Sequence, residues 1–311
     1  MTEIARTTAH PPADQEALLP PGYEELPSNW GRWGQDDDLG TLNLITDEAR
    51  ARGAAEARTG RVVSLAHPVD PVVVAGGRPG PPRLVPMPAP LLQTMVYVGS
   101  PSLATVDTMT VTTHHVALTH IDALGHVTVD GRVYPGVPLD EATAGGTLNR
   151  ASTTAFVDGV VTRGVLLDLA VGGRLDPATA VTAADLEEAE TRSGVRVTSG
   201  DALVVRGGWT RHLPRPEPAP WLSLGAVLWM ADRGVGLIAS DIGDRPPQLG
   251  EVMPLHAVAL ARLGTPLVDN AAVDALGDVC AELDRWSFLF TLGAPPFRGL
   301  TGVPVNPLAV F

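Results

Sequence analysis

Hydrophobic and polar positions in the second half of the chain alternate between two periods, one typical of strands and one typical of helices. The short apolar runs that predict buried strands lie at residues 164–169, 202–206, 235–239 and around Leu267. The segments with the 3.6-residue period of an amphipathic helix lie at residues 182–193, 224–231 and 255–263. Thr182 and Asp185 form the sequence of a capping box at the start of the first of these helices. This alternation predicts an α/β fold.

The first half of the chain predicts one helix and several strands, with two segments rich in proline. Residues 47–57 are rich in alanine, arginine and glutamate and follow Thr46, so we expect a helix capped by that threonine. Strands are expected where valine and threonine are frequent, at residues 61–66, 95–99 and 105–118. The proline-rich segments are residues 1–28, which we expect to form a peripheral arm, and the loop 76–90.

Length and composition favour a globular protein that acts on a small molecule. The chain has 311 residues, 44% of them hydrophobic, and no break in composition divides it, so we expect residues 29–311 to form a single domain. The net charge of -13 argues against binding to nucleic acids or anionic membranes, which need a basic surface. We find no apolar signal core in residues 1–20 and no run of about 18 apolar residues. Cys280 is the only cysteine, so nothing requires an oxidising compartment, and we expect a cytoplasmic protein.

Three side chains that can carry out chemistry lie close together between Thr119 and His126. Residues two apart lie on the same face of a strand, so His120, Asp122 and, if the extended conformation continues, His126 would face one space. Two imidazoles and a carboxylate in one place can bind a divalent metal or transfer protons. The segment therefore predicts a metal site or an acid–base site.

The same segment resembles part of the signature of the metal-dependent cyclase/hydrolase family that includes bacterial kynurenine formamidase and isatin hydrolase. That signature is His-x-Gly-Thr-His-x-Asp-x-Pro-x-His, and Thr119, His120, Asp122 and His126 match its second half. Other blocks that resemble the longer family members are residues 30–34, 37–43, 200–209, 239–241, 255–264, 269–270 and 301–307. The resemblance implies a swivelling β/β/α domain, with a β-barrel-like core flanked by helices, and assembly into a homodimer or homotetramer.

Of the positions that depart from the family pattern, two bear on the metal ligands. Val116 stands where the signature has its first histidine, which removes one expected ligand. His114 is one replacement, although on a regular strand it lies a full repeat farther away, and His115 would need a β-bulge to face the same side. Asp269 stands where the family usually has glutamate, and its shorter side chain would reach a metal only if the backbone came closer.

By resemblance, the function is that of a metal-dependent hydrolase of a small carbonyl compound, such as a formamide or lactam, that uses metal-activated water. His120, Asp122, His256 and Asp269 would hold the divalent metal, and this set is acceptable to zinc or manganese. His126 would be the general acid or base, in a catalytic group with His120 and Asp122.

Two other functions stay open. If Val116 marks a lost metal site, then His120, Asp122 and His126 would form a metal-free acid–base set for a cyclase or lyase of specialised metabolism. The third hypothesis is a non-catalytic binding protein that keeps the pocket.

Trp30, Trp33 and Arg206 are the candidate substrate-binding residues. The two tryptophans lie in a glycine-rich, acidic segment and would either line a pocket for an aromatic or apolar substrate or simply pack against the protein. Arg206 ends a predicted strand and would either contact the substrate or pair with a carboxylate such as Asp241.

Overall fold

A computed structural model of the chain describes residues 26–75, 89–209, 218–245 and 253–311. The helices are α1 (Asp47–Ala54), α2 (Leu139–Ala142), α3 (Ala183–Ser193), α4 (Leu224–Arg233) and α5 (Asp274–Leu283), together with a π-helix over Pro254–Leu260 and 3-10 helices over Gly40–Leu44 and Thr153–Phe156. The strands are β1 (Val62–Ser64), β2 (Val72–Ala75), β3 (Leu91–Val98), β4 (Ala104–Val111), β5 (His120–Asp122), β6 (Arg132–Val133), β7 (Val137–Pro138), β8 (Thr143–Ala144), β9 (Thr147–Leu148), β10 (Val160–Asp168), β11 (Ala180–Val181), β12 (Ala202–Arg206), β13 (Trp221–Leu222), β14 (Leu237–Ser240), β15 (Leu267–Asp269), β16 (Ser287–Leu292), β17 (Gly302–Pro304) and β18 (Leu308–Val310).

A curled sheet of nine strands, in the order β1-β18-β16-β10-β12-β14-β15-β5-β17, forms the centre of the molecule. Strands β10, β12, β14 and β15 pair in parallel, whereas β16 and β5, on either side of them, pair antiparallel. The helices flank this sheet. The expected α/β fold, with a barrel-like sheet flanked by helices, is confirmed.

Both faces of the sheet are buried, which explains the continuous apolar runs in its parallel strands. Val165 and Val205 face a cluster that includes Leu186 of α3, residues of α4 and residues of the π-helix. Leu166 and Val204, the neighbours of those valines, face a second cluster that includes residues of α5 and β16. Each strand therefore contributes alternate side chains to two cores.

The helix predictions are confirmed except at one place. Helix α1 is capped by the Thr46 side chain, which accepts from the Ala49 N–H, although the helix ends three residues earlier than expected. Helix α3 has the predicted capping box between Thr182 and Asp185. The segment predicted as a helix over residues 255–263 is instead a π-helix, in which the Ala261 N–H donates to the carbonyl five residues earlier.

The prediction of one strand over residues 105–118 is wrong in its second half. Strand β4 ends at Val111. The next seven residues form turns, in which the His115 N–H donates to the Thr112 carbonyl at 3.2 Å and the Leu118 N–H donates to the His115 carbonyl at 2.9 Å. These short-range hydrogen bonds replace the strand that the local composition favours.

Two predicted segments lie mostly outside the described residues. The arm predicted over residues 1–28 is described only from Leu26, and the loop predicted over 76–90 is described only at Ala89 and Pro90. The single domain over residues 29–311 stays a prediction. Among the described residues, none of the helices has the length and apolar character needed to cross a membrane.

Candidate metal centre

Sheet register places three candidate ligands side by side. Strand β5 pairs antiparallel with β15 and β17, and the register partner of His120 in β15 is Asp269. His120 and Asp122 are two residues apart and are buried, with 3% and 0% of their surface exposed. Ligand atoms of His120, Asp122 and Asp269 all lie within 4.8 Å of one another.

The π-helix supplies His256, and Asp244 fixes its orientation. The Asp244 carboxylate accepts hydrogen bonds from the Leu255 N–H at 2.8 Å, the His256 N–H at 2.9 Å and the His256 ring Nδ1 at 2.8 Å. The other ring nitrogen, Nε2, lies 3.5 Å from Asp122 Oδ2 and 3.9 Å from Asp269 Oδ2. His256 therefore joins the cluster from an element distant in sequence.

The turn after β4 brings His114 into the cluster, in place of the histidine that the family pattern has at position 116. His114 Nδ1 lies 2.9 Å from Asp122 Oδ1, and Nε2 lies 3.0 Å from the Thr301 hydroxyl. Val116 is 70% exposed, so it lies outside this buried cluster. The His115 ring stays within its own turn, where Nδ1 accepts from the Ala117 N–H.

His126 reaches the same cluster through a turn. Strand β5 ends at Asp122, and the His126 N–H donates to the Ala123 carbonyl at 2.9 Å, so the extended conformation does not continue to residue 126. Its ring nevertheless stacks on that of His114, with 3.7 Å between centroids. Ligand atoms of His114, Asp122 and His126 lie within 4.8 Å of one another and form a second group that shares Asp122 with the first.

Partners outside the cluster engage one ring nitrogen of three of these histidines. His120 Nδ1 lies 2.7 Å from the Leu118 carbonyl, His256 Nδ1 bonds Asp244, and His114 Nε2 bonds Thr301. A hydrogen bond at one ring nitrogen orients the ring and leaves the other nitrogen for a metal. The free nitrogens all face Asp122, which lies between them.

Asp122 provides the test of whether a metal fits. Both of its carboxylate oxygens are buried, and neither makes a hydrogen bond to any described residue. Yet three imidazole nitrogens lie between 2.9 and 3.5 Å from these oxygens. Leaving a buried carboxylate without donors is costly, and a cation held between the carboxylate oxygens and the imidazole lone pairs would remove that cost. These residues therefore fit a divalent metal.

The charges of the cluster perturb one another strongly. Burial disfavours the charge of Asp122, but the surrounding imidazoles hold its pKa well below the ordinary value. Burial and the charge of Asp122 raise the pKa of Asp269. Burial opposes protonation of His256, yet Asp122 and Asp244 raise its pKa to about 11. Burial lowers the pKa of His126 to about 4. Asp122 and Asp269 thus disfavour each other's ionised form, and a cation between them would favour the ionised form of both.

Asp244 and Thr301 are the two residues of the site that sequence reasoning misses. Thr301 lies in a block that resembles the family, but no feature of that block indicates contact with His114. Asp244 follows β14, and the only signal is its position beyond the carboxyl end of a parallel strand, where ligand sites of α/β sheets occur.

The two tryptophans proposed for substrate binding have identifiable packing partners. The Trp30 indole N–H donates to the Ala261 carbonyl at 2.8 Å, just after the π-helix, and the ring is partly buried against the core. Trp33 lies under the guanidinium of Arg32, whose carbon is 4.6 Å from the ring centroid.

Arg206 is held by two carboxylates. Its guanidinium lies 2.9 Å from Asp168 and 2.9 Å from Asp274. Asp241, the partner considered from the sequence, instead accepts backbone N–H groups of residues 207 and 209. Arg206 and Asp168 line a cavity of about 420 Å³, and none of the cluster's histidines is among its described lining.

A second cavity, of about 570 Å³, opens beside the cluster. Its described lining includes His126 and Thr301, together with glycine, alanine, threonine and leucine side chains. This volume is within the range of small-molecule sites. Apart from His126, the described lining contains no ionisable side chain.

A family model and a solved structure, both described as cyclases, match this chain. A family model described as "Putative cyclase" matches residues 63–244, more than half of the chain. A solved structure described as a novel cyclase is 27% identical, with a TM-score of 0.77, and the alignment covers 93% of this chain and 98% of that one. No curated protein matches the sequence.

Hydrolases share the fold at lower identity. Isatin hydrolase A from Labrenzia aggregata, bound to benzyl benzoate, is 17% identical with a TM-score of 0.58, covering 80% of this chain and 93% of that one. An isatin hydrolase bound to the product analogue thioisatinate is 16% identical with a TM-score of 0.58, covering 86% and 99%. A predicted metal-dependent hydrolase from Bacillus stearothermophilus is 14% identical with a TM-score of 0.50, covering 80% and 97%.

Proposed function

The chain belongs to the cyclase family whose model matches residues 63–244, and from this membership and the geometry of the site we propose that it is a metal-dependent hydrolase. Its substrate is a small carbonyl compound, such as a formamide or lactam, in which a C–N or C–O bond is cleaved by water. The observation that carries the proposal is Asp122, a buried carboxylate that no described residue satisfies by a hydrogen bond and that is surrounded by imidazole nitrogens. The isatin hydrolases and the metal-dependent hydrolase that share the fold support the reaction class.

Five side chains would hold the metal. They are His114, His120, Asp122, His256 and Asp269. Imidazole nitrogens and carboxylate oxygens suit zinc or manganese. When bound, the metal would lower the pKa of water toward about 7 and polarise the substrate carbonyl.

His126 is assigned to proton transfer. Its ring lies against His114 and lines the cavity of about 570 Å³, so it is near both the metal ligands and the space for a substrate. In this position it would take a proton from the attacking water and return one to the leaving group. The cavity lining of small and aliphatic residues suits an uncharged substrate.

We place this activity in the cytoplasm. Cys280 is the only cysteine of the chain and is buried, so no disulfide within the chain calls for an oxidising compartment.

Elemental mass spectrometry of protein purified without a metal-affinity tag tests the proposal. We expect nearly one equivalent or more of zinc or manganese per subunit in the unmodified protein, and loss of that metal in Asp122→Asn and His114→Ala. His115→Ala is the matched control, because His115 is adjacent in sequence but its ring stays within its own turn. The control should keep its metal.

Activity is measured next, with a panel of formamides and lactams, with and without a chelator. Hydrolysis that the chelator abolishes and that added zinc or manganese restores is the expected result. Absence of metal after growth and reconstitution with both ions would refute the proposal. It would leave the metal-free cyclase or lyase, for which His126 and His120 would be required but metal would not.

A further inference from the structure

The cavity of about 420 Å³ lies at the carboxyl ends of the parallel strands β10 and β12, and we call it the β10–β12 cavity. Asp168, the last residue of β10, and Arg206, the last residue of β12, both line it, together with residues of α3 and α5. It shares no described lining residue with the cavity beside the metal cluster. Sheets of α/β proteins bind ligands at the carboxyl ends of their parallel strands, and this volume is within the range of small-molecule sites.

Two arginines of this cavity converge on Asp168. Arg206 Nη1 lies 3.0 and 2.9 Å from the two Asp168 carboxylate oxygens, and Arg192 Nη2 donates to the Asp168 main-chain carbonyl. Arg206 Nε donates to Asp274 at 2.9 Å, which leaves Nη2 of Arg206 without an acceptor among the described residues. The two guanidinium groups are therefore close together, and Arg206 keeps a pair of N–H donors for a ligand. Guanidinium groups bind carboxylates through such donors.

Gly277 allows Arg206 to lie against α5. A Cβ at residue 277 would be 2.9 Å from Arg206 Cδ and 3.1 Å from Arg206 Nε, so the guanidinium occupies the space that a side chain would need. Glycine inside a helix costs about 1 kcal/mol relative to alanine, and here the close approach of Arg206 explains its presence. This packing and the two carboxylates fix the guanidinium before a ligand arrives, which favours binding.

Asp278, the next residue of α5, brings a negative charge to the same cavity. It is exposed, lines the cavity and makes no ion pair with a described residue. The charged side chains around the cavity are thus two arginines and, with Asp274 included, three aspartates. A purely anionic ligand would add charge to a region with a negative excess, and a purely cationic ligand would face two guanidinium groups. A small molecule that carries both charges avoids both costs.

The rest of the lining suits an apolar side chain close to those two charges. Trp286 is the aromatic residue of the described lining, and most of the other uncharged lining residues are glycine or alanine. Because Asp278 directly follows the glycine that packs against Arg206, the negative and positive groups of the cavity are close together. The ammonium and carboxylate groups of an α-amino acid are attached to one carbon, so their spacing matches this arrangement.

We propose that the β10–β12 cavity binds an α-amino acid with an apolar or aromatic side chain. The ligand carboxylate pairs with Arg192 and with Nη2 of Arg206, its ammonium group pairs with Asp278, and its side chain packs beside Trp286. The inference does not rest on the proposed hydrolase function, because none of the residues assigned to the metal or to proton transfer is in the described lining of this cavity.

Isothermal titration calorimetry of the unmodified full chain tests the proposal with three matched probes. L-phenylalanine carries both charges, 3-phenylpropanoate lacks the ammonium group and 2-phenylethylamine lacks the carboxylate. We expect L-phenylalanine to bind at a single site, and each of the other two to bind about 10- to 100-fold more weakly, because one hydrogen-bonded charge is lost. Equal or tighter binding of either single-charge probe would overturn the proposal. So would the absence of binding by both L-phenylalanine and L-leucine.

Two exposed alanines of α5 give a matched pair of variants that locates the ligand. Ala281 lines the cavity, whereas Ala275 is not in its described lining. Ala281→Phe fills the cavity from its edge and should abolish binding of L-phenylalanine, whereas Ala275→Phe should leave the dissociation constant unchanged. Equal binding by the two variants would place the ligand elsewhere and overturn the proposal.

Charge variants test the assigned contacts. Arg192→Gln and Asp278→Asn should each weaken L-phenylalanine binding at least about tenfold. Arg196→Gln and Glu187→Gln make the same changes of charge at exposed positions outside the described lining, and they should not weaken binding. Equal effects in the two pairs would show that overall charge, rather than these contacts, governs binding, and would contradict the proposal.

A metal-site variant distinguishes this cavity from the metal cluster, because an amino acid can also bind a metal ion. His114→Ala, which we expect to lack metal, should bind L-phenylalanine as tightly as the unmodified protein does. Loss of binding in this variant would assign the amino acid to the cluster and overturn the proposal. Unchanged binding would support the cavity whether or not the hydrolase function is confirmed.

Discussion

Asp244 is predicted to control the metal affinity of the site without being a ligand. Its two oxygens accept from the Leu255 N–H, the His256 N–H and the His256 ring Nδ1. Asp244→Asn replaces one of these oxygens with an NH₂ donor. If that donor faces the His256 ring, Nδ1 must accept and the proton moves to Nε2. Nε2 is the nitrogen that faces Asp122, so a protonated Nε2 cannot bind the metal.

The expected magnitude follows from this change of tautomer. Altering a residue that orients a metal-bound histidine typically weakens metal binding about 10- to 100-fold. At about 1.4 kcal/mol per tenfold change, the loss is about 1.4–2.8 kcal/mol of binding free energy. The opposite amide orientation keeps the ring contact. In either orientation the NH₂ faces a backbone N–H, that of His256 or that of Leu255, which costs about 1–3 kcal/mol of folding free energy. Competition with a chromogenic chelator measures the dissociation constant, and urea unfolding measures the stability.

Asp241→Asn separates these two effects. Asp241 also accepts two backbone N–H groups, at 2.7 and 2.6 Å, but they belong to residues 207 and 209, which are not in the cluster. This control should lower the free energy of unfolding while the metal dissociation constant stays within about twofold, because the backbone groups described as bonding to Asp241 lie in a different segment from those bonded to Asp244. An unchanged dissociation constant in Asp244→Asn would refute the reasoning, as would equal weakening in both variants.

Three further predictions concern stability. A Cβ at Gly40 would lie 2.0 Å from the Gly264 carbonyl oxygen, at a φ of +58°, so Gly40→Ala should lower the free energy of unfolding by about 2–4 kcal/mol in a urea titration. Thr182→Ala removes the capping box with Asp185 and should cost about 1 kcal/mol in the same assay. Arg206→Leu removes the guanidinium that contacts both Asp168 and Asp274 and should cost about 3 kcal/mol, while the metal content measured by elemental mass spectrometry stays unchanged; loss of the metal would contradict this placement of Arg206.

Strong local signals predict most of the secondary structure, and the prediction fails where hydrogen bonds within turns override a strand-like composition. The capping box at Thr182 marks the start of α3, and the apolar run at residues 202–206 coincides with β12. Residues 112–118 are the contrary case, because their composition favours a strand while hydrogen bonds within the turns end β4 at Val111. The composition of these residues carries no signal for the hydrogen bonds that form the turns.

The sequence likewise predicts the part of the candidate site that local spacing determines, but not the part that depends on contacts between distant segments. The spacing of His120 and Asp122 is a local pattern and predicts two neighbouring side chains without any other information. Asp269 pairs with His120 through the β15–β5 register, across 149 positions of sequence (269 − 120), and spacing alone does not indicate such a pairing. The role of Asp244 is even harder to predict from the sequence, because it depends on how the π-helix orients His256.

Val116, which stands where the family has a histidine, is the basis of the hypothesis of a metal-free reaction. The geometry of the turn after β4 does not support that hypothesis. His114 lies 2.9 Å from Asp122, whereas Val116 is 70% exposed, so the position that lost the family's histidine is not the position that faces the cluster. Introducing histidine at position 116 should therefore not restore metal binding. We expect His114→Ala to lose metal, and His114→Ala combined with Val116→His to remain without it in elemental mass spectrometry. Recovery of metal in the double variant would show that residue 116 can reach the cluster and that the turn is not what selects the ligand.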